Sequence, residues 1–115
     1  MESAPLKARE KYAEELVANF DSRFFKVLSE PVRVQILKCL ILKGRADIAA
    51  IAEELPQDRS VISRHLKFMS EAGIVCREKI SRHVYYEVDA KSFRDKLAQI
   101  VEKITECLSV CCPFK

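Results

Sequence analysis

The sequence predicts a mainly α-helical, winged helix-turn-helix fold of five to six helices with a two-stranded β wing. The first indication is the stretch 58–74, DRSVISRHLKFMSEAGI, whose apolar residues recur at helical spacing. The second is the shorter apolar stretch DIAAIAEEL, which precedes it across Pro56 and Gln57. The third is a pair of stretches rich in β-branched and aromatic residues that follow it. Two helices joined by a tight turn and followed by a hairpin are typical of this fold.

Three helices are predicted before this motif, at 7–20, 23–29 and 32–42. The first carries an apolar stripe at four-residue steps, formed by Tyr12, Leu16 and Phe20. Asp21 or Ser22 can cap the second helix. Pro31 fits the first turn of the third helix, where its missing N–H is not needed, and Gly44 can end it.

The stretch 58–74 is predicted to be the helix that reads DNA. Asp58 can cap its first turn and Gly73 can end it. One face is apolar and should be buried, and it comprises Val61, Ile62, Leu66 and Met69. The residues off that face are cationic or rich in hydrogen-bond donors, and they comprise Arg59, Ser60, Ser63, Arg64, His65 and Lys67.

The excess positive charge of the chain is concentrated in one stretch. Residues 59–82 contain six Lys or Arg and two acidic residues, a net charge of +4, whereas the rest contains 14 basic and 15 acidic residues. An ordinary solvated face would also be charged. Clustering on a helix-turn-helix instead indicates a polyanion partner, here double-stranded DNA.

After the reading helix, 75–80 and 83–88 are predicted strands of a hairpin, separated by Ser81 and Arg82. This hairpin would be the wing. Its charged residues cluster towards the tip, within reach of a groove or a phosphate backbone, and they comprise Arg77, Lys79, Arg82 and His83.

The last predicted helix, at 90–112, has apolar residues in 4-3 spacing, a seam that requires a partner. The seam comprises Phe93, Leu97, Ile100, Ile104, Cys107 and Cys111. Because the first helix has a matching stripe, we expect a homodimer formed through both terminal helices. The predicted organisation is therefore a single domain at 1–115, with N-terminal helices at 1–30, the helix-turn-helix at 46–73, the wing at 74–89 and a dimerisation helix at 90–112.

Five cysteines without CxxC spacing indicate a reduced compartment rather than a disulfide framework. No apolar run approaches the ~20 residues of a bilayer span, and the N-terminus lacks the apolar centre of a signal peptide, so we expect a cytoplasmic protein with no membrane partner. Cys39 and Cys76 are expected to be packing residues. A thiol enzyme is disfavoured, because there is no glycine-rich phosphate loop and no nucleophile–His–acid set.

Three stretches, FFKVLSEPVRVQILKCL, SVISRHLKFMSEAGIV and REKISRHVYYEVD, resemble the ArsR/SmtB family of winged-helix, metal-responsive repressors. Ser81 is a departure, because the wing turn of this family often carries glycine. The resemblance implies a homodimer that leaves a pseudo-palindromic operator on binding its inducer. It also implies major-groove and phosphate contacts by Ser60, Ser63, Arg64 and His65, and wing contacts by Arg82 and His83. His65 could instead be a partly buried helix residue.

The resemblance also bears on the inducer. The family's zinc-type site needs histidine on the terminal helix, and residues 90–115 contain none. Its thiolate site in the first helix of the helix-turn-helix needs CxC, which DIAAIAEEL lacks. The end of the chain, ECLSVCCPFK, resembles members that bind trivalent arsenic through C-terminal cysteines, here Cys107, Cys111 and Cys112.

Three thiolates without imidazole suit As(III) or Sb(III) better than zinc, and no organic cofactor is expected. Three alternatives remain. Cys107 and Cys111 could simply pack in the seam, or the thiols could make this a redox- or persulfide-responsive repressor. The winged helix could also be a protein-interaction module, which the +4 charge of 59–82 disfavours.

Overall fold

A computed structural model describes residues 5–20 and 23–111. Within these residues the chain forms six helices and one two-stranded antiparallel sheet, which confirms the predicted winged helix-turn-helix. In chain order the elements are α1 (Leu6–Phe20), α2 (Arg23–Leu28), α3 (Pro31–Lys43), α4 (Ile48–Glu54), α5 (Arg59–Glu71), β1 (Val75–Ile80), β2 (His83–Val88) and α6 (Ala90–Cys111). The candidate caps Asp21 and Ser22, and the candidate ligand Cys112, lie outside the described residues.

The chain divides into two compact units. Residues 23–93 form one, here called the winged-helix unit, which contains α2 to α5, the wing and the start of α6. The other, here called the terminal-helix unit, contains α1 and the part of α6 from Arg94 onward. No helix in the described part of the chain is long and apolar enough to cross a membrane.

The core of the winged-helix unit is built on the apolar face of α5. Ile62, Leu66 and Met69 are fully buried, as that helix's spacing predicts, whereas Val61, which was also predicted to be buried, is half-buried. Their burial is shared with α3 and α4, whose fully buried side chains include Ile36, Leu40 and Ile51. Because this stripe faces inward, the opposite face of α5 is left for a partner.

Side-chain caps fix where the two helices of the helix-turn-helix begin. The Asp47 carboxylate accepts a hydrogen bond from the backbone N–H of Ala50 at 2.8 Å, and Asp58 accepts one from Val61 at 3.1 Å. These bonds satisfy N–H groups that the first turn leaves without a helical partner. The predicted cap at Asp58 is therefore confirmed.

The wing has the predicted strands and a two-residue turn. Val75 pairs with Val88 at its base and Ile80 with His83 at its tip. Ser81 has φ of +59°, a left-handed conformation that glycine adopts more readily. Serine therefore replaces the family's usual glycine at a position where the backbone conformation favours glycine. Ala46 joins the sheet edge through two backbone hydrogen bonds with Tyr86, at 3.0 and 2.8 Å, which the sequence analysis did not predict.

Gly73 follows α5 with φ of +76°, and a Cβ atom there would lie 2.6 Å from Ser92 Oγ. We expect Gly73→Ala to lower the free energy of unfolding by ~1–3 kcal/mol, because it combines a left-handed alanine with this clash. Denaturant unfolding followed by circular dichroism measures the loss. The double variant Gly73→Ala/Ser92→Ala should recover part of the lost free energy of unfolding. An unchanged unfolding midpoint for Gly73→Ala would contradict the close packing of Gly73 against Ser92.

The structure divides the predicted apolar seam of α6. Ile100 and Cys107 are buried and Ile104 and Cys111 are half-buried, whereas Leu97 is 37% exposed. Val101, which flanks the seam, is 61% exposed. Phe93 packs edge-to-face against Phe24 in the winged-helix unit, with ring centroids 5.5 Å apart, so it belongs to that core rather than to a free seam. The exposed apolar surface of α6 is therefore the face that carries Leu97 and Val101.

Candidate nucleic-acid interface and thiol pair

The outward face of α5 carries the side chains that the sequence assigns to DNA. Five of them are exposed, namely Arg59, Ser60, Ser63, Arg64 and Lys67. They lie opposite the buried stripe, because residues three and four apart share a helix face. The wing residues Arg77, Lys79, Arg82 and His83 are exposed as well. Nine of the ten predicted DNA contacts are thus on open surface.

A groove of about 420 Å³ runs between α5 and the wing. It brings Arg64 and Lys67 of the helix together with Arg77 of β1. The remaining lining residues are Ser60, Ser63, Ser70, Glu71 and Tyr86. The lining includes three cations and four hydroxyl groups, which can donate hydrogen bonds to phosphate oxygens, against the single carboxylate of Glu71. The groove therefore suits a polyanion.

Ser70 and Tyr86 are groove residues that the sequence analysis missed. Ser70 lies one turn beyond Lys67 on the same helix face, and this spacing could have identified it. Its hydroxyl oxygen is buried and has no hydrogen-bond partner among the described residues. Tyr86 is brought to the groove by strand pairing, a long-range arrangement that no local pattern reveals.

Asp58 orients Ser60 as well as capping α5. The Ser60 hydroxyl donates to Asp58 Oδ1 at 2.8 Å. The Val61 N–H and the Ser60 hydroxyl, which both donate to this carboxylate, lower the pKa of Asp58. The single hydroxyl proton of Ser60 is thus donated to Asp58, so a phosphate contact by Ser60 would require this hydroxyl to turn away from the carboxylate.

His65 differs from the other predicted DNA contacts, because it is half-buried. Its Nδ1 accepts a hydrogen bond from Arg33 Nε of α3 at 3.1 Å. Burial lowers the pKa of His65, and the positive charges of Arg33 and Arg64 lower it further against the opposing charge of Glu30. The partly buried position that the sequence left open is thus the one His65 occupies, while its contact with DNA stays a prediction.

The base of the wing is attached to the loop after α3. Arg45 forms an ion pair with Glu78 of β1 at 2.8 Å, and its guanidinium lies 5.2 Å from the centroid of the Tyr85 ring. Both groups of the ion pair are partly exposed, so the pair contributes little on its own. Together with the Ala46–Tyr86 bridge, it fixes the strand that carries Arg77 beside α5.

At the end of α6 two thiols lie side by side. Cys107 Sγ and Cys111 Sγ are 4.0 Å apart, and Cys111 Sγ lies 3.8 Å from the backbone oxygen of Arg9 in α1. Cys107 is buried and Cys111 half-buried. Across residues 5–20 and 23–111, no group of three or more His, Cys, Asp or Glu side chains is placed to hold a metal ion. Cys112, the third predicted ligand, lies outside those residues.

Cys39 and Cys76 belong to the winged-helix unit, whereas the thiol pair belongs to the terminal-helix unit. Burial raises the pKa of each of these two thiols, with nearby acidic groups adding to the effect. A thiol is a weak nucleophile and a weak metal ligand until it loses its proton. Both observations fit the packing role that the sequence predicts for Cys39 and Cys76.

A reading helix with an exposed cationic face, placed beside a basic wing, defines a winged-helix DNA-binding regulator. The model of the family described as "Bacterial regulatory protein, arsR family" matches residues 30–76, which include α3 to α5. An uncharacterised helix-turn-helix-type transcriptional regulator of Methanocaldococcus jannaschii is 33% identical over 86 residues, which are 74% of this chain and 91% of that protein. The chain therefore belongs to the ArsR family, whose members are DNA-binding transcriptional regulators and not enzymes.

Two further relatives have named roles. A cadmium resistance transcriptional regulatory protein CadC homolog of Staphylococcus aureus is 30% identical over 82 residues, covering 71% of this chain and 64% of that protein. The arsenical resistance operon repressor of Bacillus subtilis is 23% identical over 101 residues, covering 88% of this chain and 87% of that protein.

Solved structures share the fold. A crystal structure of a possible transcriptional regulator for arsenical resistance is 30% identical, has a TM-score of 0.58 and covers 75% of this chain and 83% of that chain. The NMR structure of a homodimeric winged helix-turn-helix DNA-binding domain from Mycobacterium bovis, a possible ArsR-family regulator, is 25% identical. Its TM-score is 0.59, and the likeness covers 89% of this chain and 90% of that chain.

Proposed function

We propose that this ArsR-family regulator is a homodimeric repressor that releases its operator when trivalent arsenic or antimony, As(III) or Sb(III), binds its C-terminal cysteines. DNA binding is supported by the groove between α5 and the wing, which brings Arg64, Lys67 and Arg77 together. The observation that carries the sensing half is the pair of thiols 4.0 Å apart at the end of α6. The two halves make separate predictions.

In this proposal α5 lies in the major groove of the operator. Arg64 would contact a base edge, because a guanidinium can bind guanine with two parallel hydrogen bonds. Ser60, Ser63 and Lys67 would bind phosphates beside it, with Arg59 at the start of the helix. The wing would follow the adjacent backbone through Arg77, Lys79, Arg82 and His83. His65 would supply one further hydrogen-bond donor to the operator.

Two arginine variants should therefore differ in kind. We expect Arg64→Ala to weaken operator binding by ~1–3 kcal/mol and to relax base preference, because it removes a base contact. Arg82→Ala should weaken binding to all DNA sequences similarly, because it removes a phosphate contact. The slope of log affinity against log salt concentration should fall by about one. Fluorescence anisotropy with matched and scrambled duplexes at several salt concentrations measures both effects. Intact sequence discrimination in Arg64→Ala would refute the assignment of α5 as the reading helix.

The proposed homodimer would form through the terminal helices. Among the described residues of the terminal-helix unit, five large apolar side chains are exposed, namely Leu6, Val17 and Phe20 of α1 and Leu97 and Val101 of α6. Apolar faces of this kind are commonly covered by a second copy related by a two-fold axis. The homodimeric relative of M. bovis supports this arrangement. A dimer would also present two reading helices to the two halves of a pseudo-palindromic operator.

The inducer is proposed from the chemistry of the sulfur atoms. Cys107 and Cys111 supply two thiols that need to close only slightly from 4.0 Å to bind one atom, and Cys112 is the proposed third ligand. Soft thiolate ligands favour soft ions, and zinc would require a fourth ligand for its tetrahedral site. The similarities to regulators of arsenical and cadmium resistance support a thiophilic inducer.

Thiol oxidation is the competing sensing chemistry. A disulfide needs Cβ atoms about 3.5–4.5 Å apart, whereas residues four apart in a helix have Cβ atoms about 5–6 Å apart. Direct oxidation of Cys107 and Cys111 would therefore have to bring their Cβ atoms closer than a regular helix allows, whereas two sulfur atoms 4.0 Å apart can bind one metalloid ion with a smaller change in the last turn of α6. Operator release by peroxide or persulfide, with none by As(III), would establish the oxidative alternative.

A further inference from the structure

Arg33 of α3 contacts the reading helix at two points one helical turn apart. Its Nε donates to His65 Nδ1 at 3.1 Å, and its guanidinium carbon lies 5.1 Å from the centroid of the Phe68 ring. A further N–H of the guanidinium, on Nη1, donates to the backbone oxygen of Val27 at 3.2 Å. Arg33 is half-buried and engaged by protein groups on three sides, so it is poorly placed to bind a phosphate itself.

The hydrogen bond from Arg33 determines which nitrogen of His65 carries the proton. Arginine is always a donor, so Nδ1 must be the unprotonated nitrogen of a neutral imidazole. The single proton of the ring then lies on Nε2. Within the described part of the chain, Nε2 has no hydrogen-bond partner and is not enclosed by protein.

The surrounding charges favour the same neutral form. The charged groups that face His65 are Arg33 of α3, Glu30 at the start of α3, and Arg64 of α5. Two cations against one carboxylate, together with partial burial, disfavour a second proton on the ring. At neutral pH the reading helix therefore presents an N–H donor rather than a further cation.

We propose that Arg33 is a positioning residue for DNA recognition, which fixes His65 in the tautomer whose Nε2–H donates to the operator. His65 follows Arg64 on the reading helix and is half-exposed, so this donor lies at the border of the exposed face that carries Arg64. Arg33 touches no DNA and acts through His65. This inference rests on the proposed function, because it assigns a role to α5 as the DNA-reading helix.

The first test needs no variant and no DNA. Long-range ¹H–¹⁵N NMR of the imidazole side chains of the wild-type protein reports which ring nitrogen is protonated. At neutral pH we expect His65 to give the pattern of a neutral ring protonated at Nε2, and Arg33→Met to give a mixture of the two tautomers. Exposed His83 provides an internal reference. A wild-type His65 protonated at Nδ1, or a mixture already present in wild type, would overturn the proposal.

The second test measures binding to a duplex enriched from a random library by the wild-type protein. We expect Arg33→Met to weaken binding roughly twofold or more, because an even mixture of tautomers halves the population that can donate from Nε2, and the ring also loses its fixed orientation. His65→Gln keeps an N–H donor near the position of Nε2. Because the glutamine amide always carries this donor, it does not need Arg33 to select a tautomer. In this background Arg33→Met should therefore have little further effect. His65→Asn keeps the acceptor for Arg33 but loses the reach of Nε2, so it should bind roughly tenfold more weakly.

The double-mutant cycle of Arg33→Met and His65→Gln distinguishes a positioning role of Arg33 from a purely structural one. If Arg33→Met weakened binding equally in wild type and in His65→Gln, its effect would not pass through His65, and the proposal would fail. Circular dichroism establishes that each variant is folded before binding is measured. The proposed function fails differently, because a chain that does not read DNA through α5 would enrich no duplex or would lose nothing on Arg64→Ala.

Discussion

Operator-bound protein that carries Cys107→Ser is expected to stay on DNA when As(III) is added, whereas the wild type is released. Serine preserves the size of the side chain but is a poor ligand for a soft ion, so the variant should fold and bind operator normally. Release in the wild type requires a coupling free energy of ~1–3 kcal/mol, which weakens DNA binding about 5- to 150-fold. Fluorescence anisotropy of a labelled operator during As(III) titration measures this difference.

The other cysteines provide the matched variants for this titration. Cys111→Ser and Cys112→Ser should fail to release DNA in the same way, because each removes a proposed ligand. Cys39→Ser and Cys76→Ser should respond normally, since both thiols lie in the winged-helix unit and burial raises the pKa of each. Normal release by all three terminal variants, or loss of release in Cys39→Ser or Cys76→Ser alone, would disprove the terminal-cysteine mechanism.

We propose that α6 couples the thiols to DNA. This helix begins at Ala90 in the winged-helix unit and ends at Cys111 in the terminal-helix unit. Because Cys107 is buried, drawing its sulfur towards a shared ion must displace neighbouring packing. A rearranged last turn would then alter the proposed dimer seam and, through it, the spacing of the two reading helices.

The double variant Leu97→Asp/Val101→Asp is expected to be monomeric at concentrations where the wild type is a dimer. The side chains are 37% and 61% exposed, so the change leaves the fold of the protomer intact. Across a two-fold interface, however, it would bury four carboxylates without partners. Each such charge carries an effective penalty of several kcal/mol, so the dimer should weaken by more than about 100-fold. Analytical ultracentrifugation measures the shift, and operator affinity should fall with it.

A control variant distinguishes the seam from exposed apolar surface in general. Leu42 on α3 is 75% exposed and belongs to the winged-helix unit, so Leu42→Asp should remain dimeric. If Leu97→Asp/Val101→Asp sedimented like the wild type, the interface would lie elsewhere. If Leu42→Asp alone dissociated the protein, α3 would be the interface instead of the terminal helices.

Most element bounds could be predicted from the sequence because they depend on neighbouring residues. Asp58 caps the reading helix through a bond to Val61, three residues away. The strands at 75–80 and 83–88 were predicted with the bounds the structure shows, because their composition and the short turn between them are local features. Helix periodicity likewise identified the buried face of α5.

The functional surface could be predicted only in part. The exposed cations of α5 follow from periodicity, because a residue off the buried stripe has to face outward. Tyr86 became a groove residue only when the wing packed beside α5, whereas the spacing of Ser70 from Lys67 could have identified Ser70. His65 illustrates the same limit, because its environment is set by Arg33, 32 residues earlier in the chain. No pattern within the reading helix contains that information.

The sequence by itself determined that this chain is a winged helix-turn-helix with an outward cationic reading helix and cysteines at the end of α6. Those properties follow from spacing and composition along single elements. Only the tertiary structure decided which apolar positions of α6 are buried, where Phe93 packs, and which residue of α3 contacts His65. The physical reason is that these outcomes depend on contacts between segments distant in sequence. The local sequence around a residue is compatible with several contact partners, and folding selects one of them.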